Sequence, residues 1–198
     1  MGKLYIVSAP SGAGKTSLVR GVVNDMADVV VSISHTTRAP RPGEQTGRDY
    51  HFVSQDRFRE LIAEGAFLEY AQVFDNAYGT TRESVEEQLA AGMNVILEID
   101  WQGAQQVREK CPDAITVYIK PPSTAVLEER LRARGQDNDE VIARRMRQAD
   151  EEMSHAGEYD HCIINDDFTA ALNELEALIR NPRQTSIGAF DTVMAKRS

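Results

Sequence analysis

One short segment near the N-terminus has the composition of a phosphate-binding loop. Residues 8–16 read Ser-Ala-Pro-Ser-Gly-Ala-Gly-Lys-Thr and lie between an apolar strand pattern and a helical pattern. Gly12 and Gly14 permit backbone conformations that point successive N–H groups at an anion. Lys15 is placed to reach the β- and γ-phosphates of a nucleotide, and the Thr16 hydroxyl is placed to ligate Mg²⁺. The segment therefore predicts a site for a nucleoside triphosphate.

The loop departs from the general phosphate-loop pattern at its first position. That pattern begins with glycine, whereas Ala9 stands there in this chain. The alternative is a plain Gly-rich turn with an exposed lysine, but the position at the first strand–helix junction favours the nucleotide site. The loop residues that we expect to bind ATP are Ala9, Pro10, Ser11, Gly12, Ala13, Gly14, Lys15, Thr16 and Ser17.

Asp100 follows a nearly all-apolar segment, residues 94–99. Ligands of open α/β sheets bind outside the carboxyl ends of the strands, so an acidic residue there can hold Mg²⁺ or contact a substrate. Aspartate is also a preferred N-cap, and a helical segment starts at Trp101. The two roles are compatible, and we predict that Asp100 is a ligand of the metal or of the substrate.

Two groups of arginines could bind phosphate. Arg38 and Arg41 lie three residues apart in a segment with proline and glycine, and guanidinium groups pair bidentately with phosphate oxygens. Six more arginines lie between residues 130 and 147. Most of these fit a solvated helical face with i,i+4 partners such as Glu128 and Asp150.

The histidines and cysteines suggest no other chemistry. His35, His51, His155 and His161 have no metal-ligand spacing, and we find no Ser–His–Asp set. Cys111 and Cys162 do not form a Cys-x-x-Cys pair, which favours two reduced thiols.

Strand-length apolar segments alternate with helical patterns, which predicts an α/β fold with a parallel sheet flanked by helices. The predicted strands are 4–8, 29–33, 94–99, 114–119 and 162–164. The predicted helices are 16–26, 102–110, 124–134, 139–153 and 168–180, with a terminal helix within 182–198.

Two stretches interrupt this alternation. Residues 34–81 carry short strand-like pieces at 50–53 and 67–73 around a helix at 56–64, which predicts an inserted mixed lobe. Residues 121–155 are rich in charge and poor in apolar residues, as in a mobile helical lid. We therefore expect one domain with a core formed by residues 1–33, 82–120 and 156–198.

Composition and charge narrow the class of protein. The chain has 198 residues, 41% hydrophobic and 27% charged, which is typical of a globular domain. Its formal net charge of -9 argues against a general nucleic-acid binder. The N-terminus lacks a signal-peptide pattern and no apolar run has the length of a membrane span, so we expect a cytoplasmic protein with no membrane partner.

These motifs, in this order, resemble the guanylate kinase family over residues 3 to about 180. The matching segments beyond the phosphate loop are SHTTRAPRPGE (34–44), GRDYHFV (47–53), GAFLEYAQV (65–73), YGTT (78–81), LEIDWQGA (97–104), RLRARGQ (130–136), IARRM (142–146) and IINDD (163–167). The resemblance implies a P-loop nucleoside monophosphate kinase fold, with a GMP-binding lobe at 34–81 and a lid at 121–155. It also implies transfer of phosphate from ATP to GMP with Mg²⁺, within purine metabolism.

The resemblance also assigns roles to individual residues. Glu69 would accept both N–H groups of guanine, and Thr80 would donate to its O6 atom. Thr80 has a second interpretation as the cap in a Thr-x-x-Glu box with Glu83. Asn165 would lie near the adenine of ATP. The residues implied to bind GMP are Ser34, Arg38, Arg41, Tyr50, Glu69, Tyr78, Thr80 and Asp100. Those implied to act on the transferring phosphate are Lys15, Arg38, Arg134 and Arg145, with Thr16 and Asp100 at the metal.

Other functions remain open at this point. A peptide-binding module with a guanylate-kinase fold typically has a degraded phosphate loop, whereas Gly14, Lys15 and Thr16 are present here. A GTP-hydrolysing switch would need an Asn-Lys-x-Asp segment, which the sequence lacks. A kinase for another acceptor is not excluded by the loop alone. The sequence leaves open dGMP as a second acceptor, and a monomer or a homodimer as the assembly.

Overall fold

The structure, a computed structural model, describes residues 2–73, 75–133, 135 and 138–182. Arg134, which the resemblance places on the transferring phosphate, lies outside the described residues. The helix predicted within residues 182–198 also falls outside them, apart from Pro182.

A five-stranded parallel sheet forms the centre of the molecule, which confirms the predicted fold class. Its strands lie side by side in the order β2-β7-β1-β8-β9. Their bounds are β1 Leu4–Ser8, β2 Val29–Val31, β7 Asn94–Glu98, β8 Ile115–Lys120 and β9 His161–Ile164. The sequence prediction placed the end of β2 two residues too late, because the strand ends at Val31.

Helices cover both faces of this sheet. Successive strand residues point to opposite faces, so Tyr5 and Val7 pack with the helices at 15–25 and 168–180, whereas Leu4 and Ile6 pack with those at 82–90 and 101–110. Since both faces are covered, the strands can be apolar throughout. The helices are α1 Lys15–Asp25, α2 Gln55–Ala63, α3 Arg82–Ala90, α4 Trp101–Lys110, α5 Thr124–Ala133, α6 Asp139–Ser154 and α7 Phe168–Arg180. A single 3₁₀ turn, His155–Glu158, follows α6.

Residues 34–81 form a second, mixed sheet with the strand order β4-β3-β6-β5. Its strands are β3 His35–Thr36, β4 His51–Phe52, β5 Phe67–Val73 and β6 Asn76–Thr81. A small cluster of Phe58, Leu61 and Phe67 packs α2 against it. The sequence patterns indicated β5 and β4 but missed β3, which has two residues, and β6, which is mostly polar.

One interpretation of Thr80 is wrong. The helix that follows β6 begins at Arg82, and its N-cap is Thr81, whose side chain makes no capping hydrogen bond. Thr80 is instead the penultimate residue of β6, where it is fully buried. Its side chain is therefore available to the site rather than to the helix end.

The two helices of residues 121–155 pack on each other above the phosphate loop. Leu127 and Leu131 of α5 are buried against Ala149 of α6. Asn138 caps α6, because its side chain accepts a hydrogen bond of 2.9 Å from the Val141 N–H. In the part of the chain that is described, no helix has the length and apolarity to cross a membrane.

Candidate active site

The backbone after β1 is shaped for an anion. Gly12 and Gly14 have φ values of 98° and 94°, a region that L side chains rarely adopt. Gly14 is the N-cap of α1, and no described side chain caps that helix. The first N–H groups of α1 and the positive end of its dipole are thus left for a ligand such as phosphate.

Asn165 holds this loop from the side. Its Nδ2 atom donates a 2.7 Å hydrogen bond to the carbonyl of Ala13. A Cβ atom on Gly14 would lie only 2.3 Å from the same Nδ2 atom, so a side chain at position 14 is excluded by contact as well as by φ. Arg130 of α5 donates to the Asn165 carbonyl at 3.0 Å, which links the loop to residues 121–155.

A cavity of about 410 Å³ opens beside the phosphate loop. It is lined by Gly12, Gly14, Ser17, Arg130, Ala133, Asn165, Asp166 and Phe168. The Phe168 ring is 45% exposed at its edge. An apolar ring and a guanidinium group offer flat surfaces of the kind on which a nucleotide base stacks.

Lys15 and Thr16 face the carboxyl end of β7, the parallel neighbour of β1. The Lys15 Nζ atom lies 3.5 Å from the carbonyl of Ile99. The Thr16 hydroxyl donates a 3.0 Å hydrogen bond to the Glu98 carboxylate. The Lys15 ammonium, the Thr16 hydroxyl and the Glu98 carboxylate thus lie together where the phosphate loop leads into α1.

Asp100 caps helix α4, which is one of the two roles considered for it. Its Oδ1 atom accepts a 2.9 Å hydrogen bond from the Gly103 N–H, which makes it the side-chain cap of α4. Its Oδ2 atom accepts from Gln102 at 3.1 Å. Its contact with metal or substrate stays a prediction.

Helix α6 reaches the phosphate loop with a positive and a negative side chain. The Arg145 Nη1 atom lies 2.9 Å from the Ser11 hydroxyl, to which it donates. Burial raises the pKa of Glu152 to about 7, against the opposing effects of Lys15 and of the Ser11 N–H. Arg144 lies 3.6 Å from Asp75, at the tip between β5 and β6.

A second group of predicted residues meets between β5 and β6. Glu69 and Thr80 are cross-strand partners, and both are almost completely buried. The hydroxyls of Thr80 and Ser34 lie 3.0 Å apart. These three side chains form a polar patch in the lobe.

Glu69 is buried without full hydrogen bonding. Its Oε1 atom has no partner among the described residues, although the side chain is nearly inaccessible. Burial raises the pKa of Glu69 to about 7, against hydrogen bonds from Thr80 that lower it. A buried carboxylate oxygen without a partner is costly, at about 1–3 kcal/mol or more, and such an atom calls for a ligand that donates hydrogen bonds.

The predicted phosphate-binding residues lie next to this patch. Arg38 donates to the Glu44 carboxylate at 2.9 Å, and the Arg41 N–H donates to the same carboxylate at 2.7 Å. The Arg38 guanidinium also stacks 5.4 Å above the ring of Tyr50. Tyr50 and Tyr78 meet edge to face at 5.9 Å. The Arg38 guanidinium and the two phenol rings thus lie together, and the Arg41 backbone is tied to the carboxylate that Arg38 binds.

Three acidic residues of the site were missed by sequence reasoning. Glu98 was assigned only to its strand, although an acid at the carboxyl end of a strand beside a phosphate loop is a recognisable signal. Glu44 was quoted only within a motif, and its partner Arg38 lies six residues away through an irregular loop. Glu152 had no signal, because its burial depends on how α6 crosses the loop.

A phosphate loop at a parallel sheet, a helical pair bearing arginines and a separate lobe with a mixed sheet define a P-loop phosphotransferase. The guanylate kinase family model matches residues 1–182. The guanylate kinase of Salmonella paratyphi A is 58% identical over 92% of this chain and 89% of its own, and that of Escherichia coli K12 is 57% identical over the same shares. The crystal structure of guanylate kinase from Anaplasma phagocytophilum superposes with a TM-score of 0.75, at 32% identity, over 93% of this chain and 88% of that chain. The chain belongs to the guanylate kinase family, and is therefore a nucleoside monophosphate kinase.

Proposed function

We propose that this protein transfers the γ-phosphoryl group of ATP to GMP, giving ADP and GDP, and that residues 34–81 read the guanine base. The observation that carries this proposal is the buried Glu69 carboxylate, whose Oε1 atom has no hydrogen-bond partner among the described residues. Guanine presents N–H donors at N1 and N2, side by side, and a carboxylate accepts from both. GMP is the ligand that this group requires.

The same atoms argue against AMP as the acceptor. Adenine has no hydrogen on N1 and no amine at C2, so Glu69 would face a lone pair. Thr80 and Ser34 share a hydroxyl contact at 3.0 Å, and either hydroxyl can turn to donate to the O6 atom of guanine. Because a buried polar group left unpaired costs about 1–3 kcal/mol, AMP should be disfavoured about fivefold to more than a hundredfold.

We assign the remaining predicted residues to the two phosphates as the family resemblance implies. Arg38, Arg41, Tyr50 and Tyr78 hold the phosphate of GMP, and Lys15 holds the β- and γ-phosphates of ATP. Arg145 and Arg134 stabilise the group in transfer. A GMP phosphate oxygen is already anionic, so the reaction requires no general base, and catalysis consists of positioning and charge stabilisation.

Mg²⁺ fits the oxygen-rich corner beside Lys15. Thr16, Glu98 and Asp100 supply oxygen ligands of the kind that Mg²⁺ prefers, and such sites usually take only one or two protein ligands beside the phosphates. We propose that Thr16 contacts the ion, with Asp100 close by and Glu98 orienting the Thr16 hydroxyl through their 3.0 Å hydrogen bond. The ion supplies charge neutralisation to the phosphates when it is bound.

We propose the functional division of the chain given above, in which residues 121–155 close over the ATP site as a lid and residues 34–81 form the GMP lobe. Asn165 and Phe168 flank the cavity that would receive adenine. Closure would exclude water and so suppress hydrolysis of ATP. A cytoplasmic location, where both nucleotides are available, suits this activity, as does a role in purine metabolism.

The test is ADP release in the presence of ATP, Mg²⁺ and each of GMP, AMP, CMP and UMP in parallel. Turnover with GMP, and at least about fivefold less with the other three, is the expected result. Turnover with another acceptor would retain the kinase activity and reject the base-reading role of Glu69. A repeat with dGMP measures whether the ribose 2′-hydroxyl matters.

A further inference from the structure

The strand that carries Glu69 lies at the edge of its sheet. In the order β4-β3-β6-β5, β5 pairs with β6 on one side only. Its other side has backbone N–H and C=O groups that pair with no strand among the described residues. Such an edge is free to shift unless another element holds it.

Side chains of helix α4 hydrogen-bond to the unpaired edge of β5. The Tyr70 N–H donates to the Gln106 Oε1 atom at 3.2 Å, and the Gln106 Nε2 atom donates to the Tyr70 carbonyl at 2.7 Å. One side-chain amide thus makes both hydrogen bonds that a residue of a neighbouring antiparallel strand would exchange with Tyr70. Lys110 donates to the carbonyl of Leu68, on the same edge of β5.

These contacts come from a single face of α4. Residues 103, 106 and 110 recur at helical spacing and therefore lie above one another on that face. The position opposite the Glu69 carboxylate is Gly103, where a Cβ atom would lie 2.6 Å from the Glu69 Oε2 atom. Because position 103 has no side chain, α4 approaches Glu69 closely enough for Gln106 to reach Tyr70.

We infer that Gln106 is a positioning residue for guanine recognition: it fixes β5 through the backbone of Tyr70, and so holds the Glu69 carboxylate where both oxygens meet N1–H and the 2-amine of the base together. This inference rests on the base-reading role proposed for Glu69. The two neighbours of Glu69 are Leu68 and Tyr70, and helix α4 hydrogen-bonds to the backbone of both. The core sheet, on which α4 packs through Ala104 and Val107, thereby sets the place of a side chain in the lobe.

A base analogue separates positioning from plain stabilisation of the fold. IMP carries the N1–H of guanine but lacks the amine at C2, so the preference for GMP over IMP reports how well the second oxygen of Glu69 is aligned. A loosened β5 should weaken the contact with the amine and leave the phosphate contacts common to both substrates. A contact that only stabilises the fold would change both substrates alike.

The experiment compares kcat/KM for GMP and for IMP in wild type, Gln106→Ala and Gln106→Met, with Gln105→Ala as the matched control. Gln105 is exposed on the same helix. Gln106→Ala should lower the GMP/IMP ratio about tenfold, mainly through KM for GMP, with KM for ATP unchanged. Gln106→Met keeps the side-chain volume without the hydrogen bonds, and carries the test if the alanine variant fails to fold.

A Glu69→Gln arm separates this inference from the proposed function. A GMP/IMP ratio that survives Glu69→Gln would reject the base-reading role itself. A ratio that collapses in Glu69→Gln but stays at the wild-type value in both Gln106 variants would overturn the positioning role alone. In the double variant, Gln106→Ala should cause no further loss of the ratio, because its effect passes through Glu69.

Discussion

The protonation of Glu69 should make GMP binding depend on pH. Burial raises the pKa of this carboxyl to about 7 in the protein without GMP, and only the ionised carboxylate can accept from both N–H groups of guanine. Below pH 7, GMP binding therefore requires the Glu69 carboxyl to release a proton. At pH 6 about one molecule in ten has the ionised form, whereas at pH 8 about nine in ten have it.

The expected size of the effect follows from these fractions. The dissociation constant of GMP should be about tenfold larger at pH 6 than at pH 8, equivalent to about 1.4 kcal/mol. Isothermal titration calorimetry at pH 6, 7 and 8 measures it directly. At pH 6, two buffers of different ionisation enthalpy should also show that nearly one proton is released for each GMP bound.

Glu69→Gln provides the control, because its side chain cannot ionise. The GMP phosphate titrates in the same pH range, and this contribution is common to both proteins. The ratio of wild type to variant therefore isolates Glu69. Identical pH dependence in the two proteins, or no proton release specific to the wild type, would refute the link between burial, pKa and base recognition.

Four further predictions concern turnover, phosphate binding and stability. Lys15→Ala should lower kcat at least about 100-fold in steady-state assays, with the circular dichroism spectrum unchanged; a rate near wild type would remove Lys15 from the mechanism. Arg41→Ala should raise KM for GMP and for IMP by the same factor, about tenfold or more, because it contacts phosphate and not base. Gly14→Ala should lower the Tm by several degrees more than Gly92→Ala. Gly92 has a similar φ of 87°, but a Cβ atom added there has nothing within 4 Å. Equal losses of Tm would show that the contact with Asn165 does not matter. The pKa of the Glu69 carboxyl is higher in the folded protein than in the unfolded chain, so its contribution to stability is lost as the pH rises. Relative to Glu69→Gln, the wild type should therefore lose up to about 3 kcal/mol of unfolding free energy between pH 4.5 and pH values above 7. Chemical denaturation at pH 5 and 8 measures this loss.

Local sequence patterns predicted the elements whose own residues determine them. Strand β1 and helix α7 match their predicted bounds, because an unbroken apolar run and a regular amphipathic period leave little choice. Strand β6 was missed because Asn-Ala-Tyr-Gly-Thr-Thr has no apolar alternation, and it is a strand only through its pairing with β5. Short polar strands of this kind are set by tertiary contact.

The same distinction applies to the site. The phosphate loop was found because its chemistry is contiguous along the chain, and Asp100 because strand ends are marked by composition. The contact between Thr16 and Glu98, 82 residues apart, depends on which strands become neighbours in the sheet. Gln106 gave no signal at all, because its partners are backbone groups of a distant strand edge.

The ion pair between Arg38 and Glu44 has a consequence for the phosphate binding proposed at these residues. Without nucleotide, the Glu44 carboxylate already occupies the Arg38 guanidinium and the Arg41 N–H, as an internal substitute for a phosphate. An incoming anion therefore competes with a tethered carboxylate instead of meeting a free cation. On the proposed function, an inorganic phosphate would gain little from this exchange, whereas GMP would add the contacts of its base. We therefore expect inorganic phosphate alone to bind Arg38 weakly.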